Sequence, residues 1–252
     1  MKTNAKTKTK KGLLIALISI LGVAVIAASA FFIYTGVYYH ADGEAIKAYL
    51  AEKPTVTKET ISGGVEVFRG EEVKAGLIFY PGGKVEYNAY EPLMAAFAER
   101  GYLGLLVKMP FNLAVLKPNA ASGLREKFPE VTEWYIGGHS LGGSMAAHYA
   151  SAHAGDFAGL LLLGSYAADD LSGTELDVIS VYGSEDRVMK RDKYEASKAY
   201  YPEGRFFECV VEGGCHGHFG FYGAQKGDGS PSVDRATQIK VTVDFFTATV
   251  GR

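Results

Sequence analysis

Residues 13–34 read LLIALISILGVAVIAASAFFIY, a run with no charged side chain. A helix apolar on every side must be taken out of water, and this one would extend about 33 Å, close to the thickness of a bilayer core. Lys2, Lys6, Lys8, Lys10 and Lys11 precede it, and the first carboxylates, Asp42 and Glu44, follow it. That asymmetry places the N-terminus in the cytoplasm and the rest of the chain outside. Phe31, Phe32, Tyr34, Tyr38 and Tyr39 then fall at the outer interface as aromatic anchors. The expected organisation is a basic cytoplasmic tail (1–11), a transmembrane signal-anchor (12–39) and a globular domain (40–252) held at the cell membrane. Ala28-Ser29-Ala30 also fits a signal-peptide cleavage site, which would release a secreted domain. Apolar sequence continuing past that site favours the retained anchor.

Residues 1–39 hold five basic and no acidic side chains, so the formal net charge of −2 conceals a domain with 21 basic and 28 acidic residues. A surplus of seven negative charges repels phosphate backbones, and no nucleic-acid partner is expected. With 48% hydrophobic residues the chain can bury one substantial core. Cys209 and Cys215 form neither a Cys-x-x-Cys pair nor a zinc spacing, and a disulfide between them would close a very short loop. Two free, largely buried thiols and no metal are expected.

From residue 42 the pattern is that of an α/β domain. Asp42 caps a short helix to Ala51, and residues 55–61 and 65–69 flank Gly63-Gly64 as an antiparallel hairpin at a sheet edge. The runs 75–80, 103–108, 134–138 and 159–163 are too continuously apolar for a sheet face in water and read as buried parallel strands. Runs 176–182 and 206–211 continue the series. Amphipathic stretches at 90–100, 141–153 and 192–200 alternate with them, and a last helix spans about 234–250. Further helix is expected around 112–127. Only about a dozen residues separate the strands ending at Leu163 and beginning at Leu176, too few for a cap domain.

Gly138-His139-Ser140-Leu141-Gly142 matches G-x-S-x-G, with strand before it and helix after it, the context in which the serine sits exposed on a sharp turn. Ser140 is therefore the candidate nucleophile. A serine hydroxyl needs an imidazole to take its proton and a carboxylate to orient that imidazole. Asp186 follows the strand 176–182 and is the candidate acid, with Glu185 as the alternative. Of six histidines only His216 and His218 lie beyond it; His216, directly after the Gly213-Gly214 turn, has the shorter tether. Two backbone N–H groups should hold the developing oxyanion. Leu141 supplies one, and Gly82 or Gly83, in the loop Pro81-Gly82-Gly83-Lys84, the other. Lys84 is a candidate for added charge at the pocket, and His139 faces the nucleophile turn.

Residues 77–85 (LIFYPGGKV), 107–114 (VKMPFNLA), 137–143 (GGHSLGG) and 212–223 (EGGCHGHFGFYG) resemble the alpha/beta hydrolase fold-5 family over nearly all of the domain from residue 40. The resemblance implies a mostly parallel central sheet with helices on both faces and no large cap. It also implies nucleophile, acid and base at Ser140, Asp186 and His216. Cys215 stands where the family usually has Asn, and His218 where it has Gln; both are expected near the pocket. The reading is an exported, membrane-anchored serine hydrolase that cleaves small-molecule carboxylic esters without a cofactor. Thioesters, lactones, amides or peptides are alternative substrates for the same triad, and a non-catalytic binding module is the rival of a different class.

Overall fold

The computed structural model describes residues 3–252, with the side chains of residue 14 and of residues 16 onward. Lys2 and the side chains of Lys6, Lys8, Lys10 and Lys11 lie outside the described residues, so the basic character of the tail rests on sequence. The chain divides into two compact units, residues 1–38 and 39–252. The first contains one helix, α1 (Thr3–Gly36). Within it, Ala16–Gly36 has a mean hydropathy of 2.6 and, Thr35 apart, exposed side chains, meeting the length and composition of a membrane span or of a signal sequence.

The second unit is built on an eight-stranded sheet in the order β1-β2-β4-β3-β5-β6-β7-β8. Its strands are β1 (Thr57–Ile61), β2 (Val65–Arg69), β3 (Ala75–Tyr80), β4 (Tyr102–Val107), β5 (Trp134–His139), β6 (Gly159–Leu163), β7 (Asp177–Gly183) and β8 (Phe206–Val211). The expected hairpin closes with Ile61 opposite Val65, and β2 pairs antiparallel with β4; all later pairings are parallel. This is the α/β-hydrolase architecture, mostly parallel and without a cap: the connection from β6 to β7, residues 164–176, carries no helix.

Side-chain alternation explains why the inner strands look apolar throughout. Leu77, Phe79, Leu161, Leu163, Ile179 and Val181 face one core, while Ile78, Tyr80, Leu160, Leu162 and Val178 face the other. A strand buried on both faces leaves room for a polar side chain only where a partner meets it, as Ser180 Oγ of β7 lies 2.9 Å from Tyr194 Oη. The first core is closed by α2 (Gly43–Ala51), α3 (Glu91–Glu99) and α6 (Arg235–Val250), through Ile46, Phe97 and Phe246. The second is closed by α4 (Leu141–Ala152), through Ala146, Ala147 and Ala150. The short α5 (Arg191–Ser197) buries Tyr194 against Tyr182. Asp42 and Asp234 cap α2 and α6 by accepting from the backbone N–H of Ala45 and Thr237.

The helix expected around 112–127 is absent. Residues 110–127 instead make short 3₁₀ turns, Pro110–Asn112, Ala114–Leu116 and Arg125–Lys127. Phe111 and Asn112 adopt positive φ, and Pro118 and Gly123 interrupt any continuous helical ladder.

Candidate active site

β5 lies inside the sheet between β3 and β6, so its carboxyl end opens at the crevice where α/β sheets assemble sites. There the chain reverses into α4 through Ser140, held at φ 52°, ψ −123°. Such a conformation is sparsely populated for a residue with a Cβ. The flanking glycines answer a crowding problem. A Cβ on Gly138 would lie 2.6 Å from the Tyr80 carbonyl oxygen, and one on Gly142 only 2.2 Å from the carbonyl oxygens of Tyr80 and Pro81. The turn is fixed from both sides: Ser140 N–H donates to Leu163 O (2.9 Å), and Ser165 Oγ donates to Ser140 O (2.7 Å).

Asp186 follows β7, and its Oδ1 accepts the N–H groups of Val188 and Met189, each at 2.9 Å. Its Oδ2 lies 2.8 Å from His216 Nδ1, with both side chains withdrawn from solvent. Because the carboxylate only accepts, Nδ1 carries the proton, and the opposite nitrogen is the basic one. That nitrogen, Nε2, is buried and makes no hydrogen bond among the described residues, Ser140 Oγ included. Hydrogen bonds of this kind often tighten only when substrate arrives. Ser140 and His216 line one cavity of about 250 Å³, together with Leu141, Gly164, Ser165 and Val188 among others. A hydroxyl on a strained turn beside an imidazole oriented by a buried carboxylate can attack an acyl carbon and pass its proton on.

Two residues that sequence reasoning missed hold the histidine segment. Asp228 accepts His216 N–H at Oδ1 (3.2 Å) and Gly217 N–H at Oδ2 (2.8 Å). Burial opposes its ionisation, yet these and further backbone N–H bonds keep the carboxyl below its usual range. Gln238, fully buried on α6, brackets Cys215: its Oε1 accepts Cys215 N–H (3.0 Å) and its Nε2 donates to Cys215 O (2.8 Å).

The structure does not bring six of the sequence candidates to the lining of this cavity. Lys84, His139, Cys215 and His218 are absent from it, and so are the loop glycines Gly82 and Gly83. Cys215 is a free, buried thiol pushed up to about 12, first by burial and then by the Asp228 charge; Cys209 is also free. The 3₁₀ turn His216–Phe219 points its two histidines to different places. His218 Nδ1 lies 3.1 Å from Val233 O, and its side chain lines a separate cavity of about 430 Å³ beside Tyr49, Phe221 and Arg235. The Lys84 backbone, at φ 59°, fixes the loop: its N–H donates to Asn112 O and its carbonyl accepts from Tyr39 N–H.

His139 is buried behind the turn. Tyr90 Oη accepts Gly82 N–H (3.1 Å) and lies within hydrogen-bond distance, 2.7 Å, of His139 Nδ1. The His139 ring sits 4.5 Å from the ring of His216. Burial, reinforced by His216, holds His139 well below the usual imidazole range, and it is neutral. One of the two expected loop donors, Gly82 N–H, is therefore engaged. Gly83 lies against Leu141, whose Cδ2 would be 2.9 Å from an added Cβ. Leu141 N–H heads α4, one of the helix-terminal groups without an intrahelical acceptor. Among the described residues no group of three or more side chains is disposed to hold a metal.

The alpha/beta hydrolase family profile matches residues 76–240, which spans strand β3 to helix α6 and includes every residue of the site. The chain belongs to the alpha/beta hydrolase family. Among solved structures, TT1662 from Thermus thermophilus superposes with a TM-score of 0.56 at 18% identity, over 78% of this chain and 99% of that one. A predicted CIB-like hydrolase from Thermoplasma acidophilum gives 0.54 at 15% identity, over 77% and 98%. Est1E from Butyrivibrio proteoclasticus gives 0.55 at 12%, over 79% and 100%. At these identities the likeness is one of fold. No curated protein matches the sequence.

Proposed function

We propose that the chain is a membrane-anchored serine hydrolase acting on carboxylic esters outside the cytoplasm, with Ser140 as nucleophile, His216 as base and Asp186 as orienting acid. The observation that carries this reading is the 2.8 Å contact of His216 Nδ1 with Asp186, with Nε2 unpartnered at the cavity that Ser140 lines. Ser140 Oγ bonds to the ester carbonyl carbon while its proton moves to His216 Nε2 and the carbonyl π electrons move to oxygen. Leu141 N–H and Gly83 N–H receive that oxyanion; Gly82 acts through Tyr90, keeping the loop in place. Collapse breaks the bond to the alcohol, which leaves with the proton from His216. Water then attacks the acyl-enzyme, giving its proton to Nε2, and the C–Oγ bond breaks to release the carboxylic acid and restore the Ser140 hydroxyl.

Family membership supports hydrolysis of a small-molecule substrate, and the cap-free crevice supports soluble short or medium esters over emulsified lipid. The apolar α1 and the lysines before it support anchoring with the domain outside. A fluorophosphonate probe tests the chemistry without a known substrate: full-length protein in detergent is labelled, and Ser140→Ala abolishes both labelling and p-nitrophenyl butyrate hydrolysis. His216→Ala is expected to cost far more activity than His218→Ala, because His218 lies in the other cavity. Folded wild-type protein that takes no label would overturn the reading in favour of a binding module.

A further inference from the structure

The cavity at Ser140 has a charge bias that ester hydrolysis alone does not require. Its lining includes Lys190 and Lys193 and no carboxylate. Asp186 sits behind His216 with its oxygens committed to backbone N–H groups and the imidazole. The neighbouring cations of the same segment are occupied. Arg187 pairs with Glu185 at 3.8 Å, Arg191 lies 4.0 Å over the Tyr182 ring, and Lys198 bridges Glu195 and Glu208. Lys190 and Lys193 form no ion pair among the described residues, although Asp192 and Glu195 are close in sequence. Lys193 also lines a contiguous groove of about 460 Å³ with Ser144, Tyr166 and Tyr200, so it stands where the cavity continues away from Ser140. The amino end of α4 at Leu141 adds a positive dipole to the same side.

Lys190 and Lys193 are exposed side chains of the cavity lining, and a neutral ester gains nothing from two ammonium groups there. We propose that Lys190 and Lys193 make this cavity selective for esters that carry a second, ionised carboxylate, on the acyl or the alcohol part. The proposal rests on the serine hydrolase reading. Oppositely charged groups near a site raise both capture rate and binding, and the effect falls as salt screens it. Two partly solvated ion pairs amount to about tenfold in kcat/KM.

The test uses full-length protein in neutral detergent at low ionic strength and two size-matched substrate pairs. The p-nitrophenyl ester of glutaric acid is compared with its methyl ester, and 3-carboxyphenyl butyrate with its methyl ester; the first pair carries the charge on the acyl side and the second on the alcohol. The expected result is a preference of about tenfold for the carboxylate in one pair, lost in about 0.5 M NaCl and reversed in K190E/K193E, with K190Q/K193Q intermediate. The milder double variant keeps the experiment decisive if charge reversal impairs folding. Ratios in both pairs that are the same in wild type and either variant overturn the proposal. Fluorophosphonate labelling separates the two failures: a labelled enzyme without charge discrimination loses only the anion pocket, whereas a folded, unlabelled one loses the hydrolase reading and this proposal with it.

Discussion

Gly164, the first residue after β6, sits at φ 50° directly under the Asp186–His216 contact. A Cβ added there would lie 2.9 Å from His216 Nδ1 and 3.1 Å from Asp186 Oδ2. Both separations are below ordinary van der Waals distance, so Gly164→Ala must move the imidazole or the carboxylate by about 0.5 Å. The left-handed backbone adds roughly 1 kcal/mol for a residue with a Cβ. With a weakened buried hydrogen bond, the total destabilisation comes to about 2 kcal/mol, a fall in Tm of roughly 4–8 °C for a domain of this size. The catalytic consequence is larger than the stability loss, because displacing a base by a fraction of an ångström removes transition-state alignment while leaving the substrate pocket in place. We expect kcat on p-nitrophenyl butyrate to drop about 10- to 100-fold with KM changed by less than about threefold. Steady-state kinetics on protein whose Tm has been measured in parallel decides the matter. A kcat within about twofold of wild type, despite the Tm shift, would refute the argument that this imidazole works in the position it occupies.

Ser140→Gly should abolish hydrolysis and raise the melting temperature, since glycine relieves about 1 kcal/mol of strain at φ 52°; a lower Tm would show that the turn stores no strain. Stability should fall with acid, because the unfolded chain protonates His139 near its ordinary 6.5 while burial keeps the folded residue neutral. The unfolded state then binds the extra proton, and urea midpoints should imply a loss approaching about 1.4 kcal/mol per pH unit below 6.5 that His139→Gln removes. Equal slopes in the two proteins would contradict this. Tyr90→Phe strips Gly82 N–H of its acceptor, a buried orphan costing about 1–3 kcal/mol, and should lower kcat about tenfold through a loosened oxyanion loop; an unaltered kcat would sever Tyr90 from that loop.

The parts of this molecule visible in its sequence are those in which local pattern and tertiary role coincide. Runs such as 159–163 and 176–182 coincide with β6 and β7 because a short, nearly continuous apolar run bounded by turn residues suits a buried strand. Ser140 and its glycines are equally local, since the crowding they answer arises within one strand, one turn and one helix. Asp228, Gln238 and Tyr90 were not legible. Each acts on a segment distant in sequence, and nothing in an aperiodic loop, a polar helix position or a buried aromatic distinguishes a clamp from filler. The loop donors show the same divide: the glycine pair marks where the backbone comes close, but Gly82 is engaged only because Tyr90, eight residues on, folds back over it. The stretch 112–127 misled because apolar spacing there serves the second core without a continuous hydrogen-bonded helix.

The Gln238 clamp on Cys215 also orders events during biosynthesis. All eight strands, Ser140, Asp186, His216 and the Asp228 clamp leave the ribosome before α6 does, yet Cys215 N–H and C=O have no fixed partner until Gln238 arrives on that helix. A nascent chain stalled before residue 238 would carry Ser140, Asp186 and His216 and lack one of the two clamps on the histidine segment.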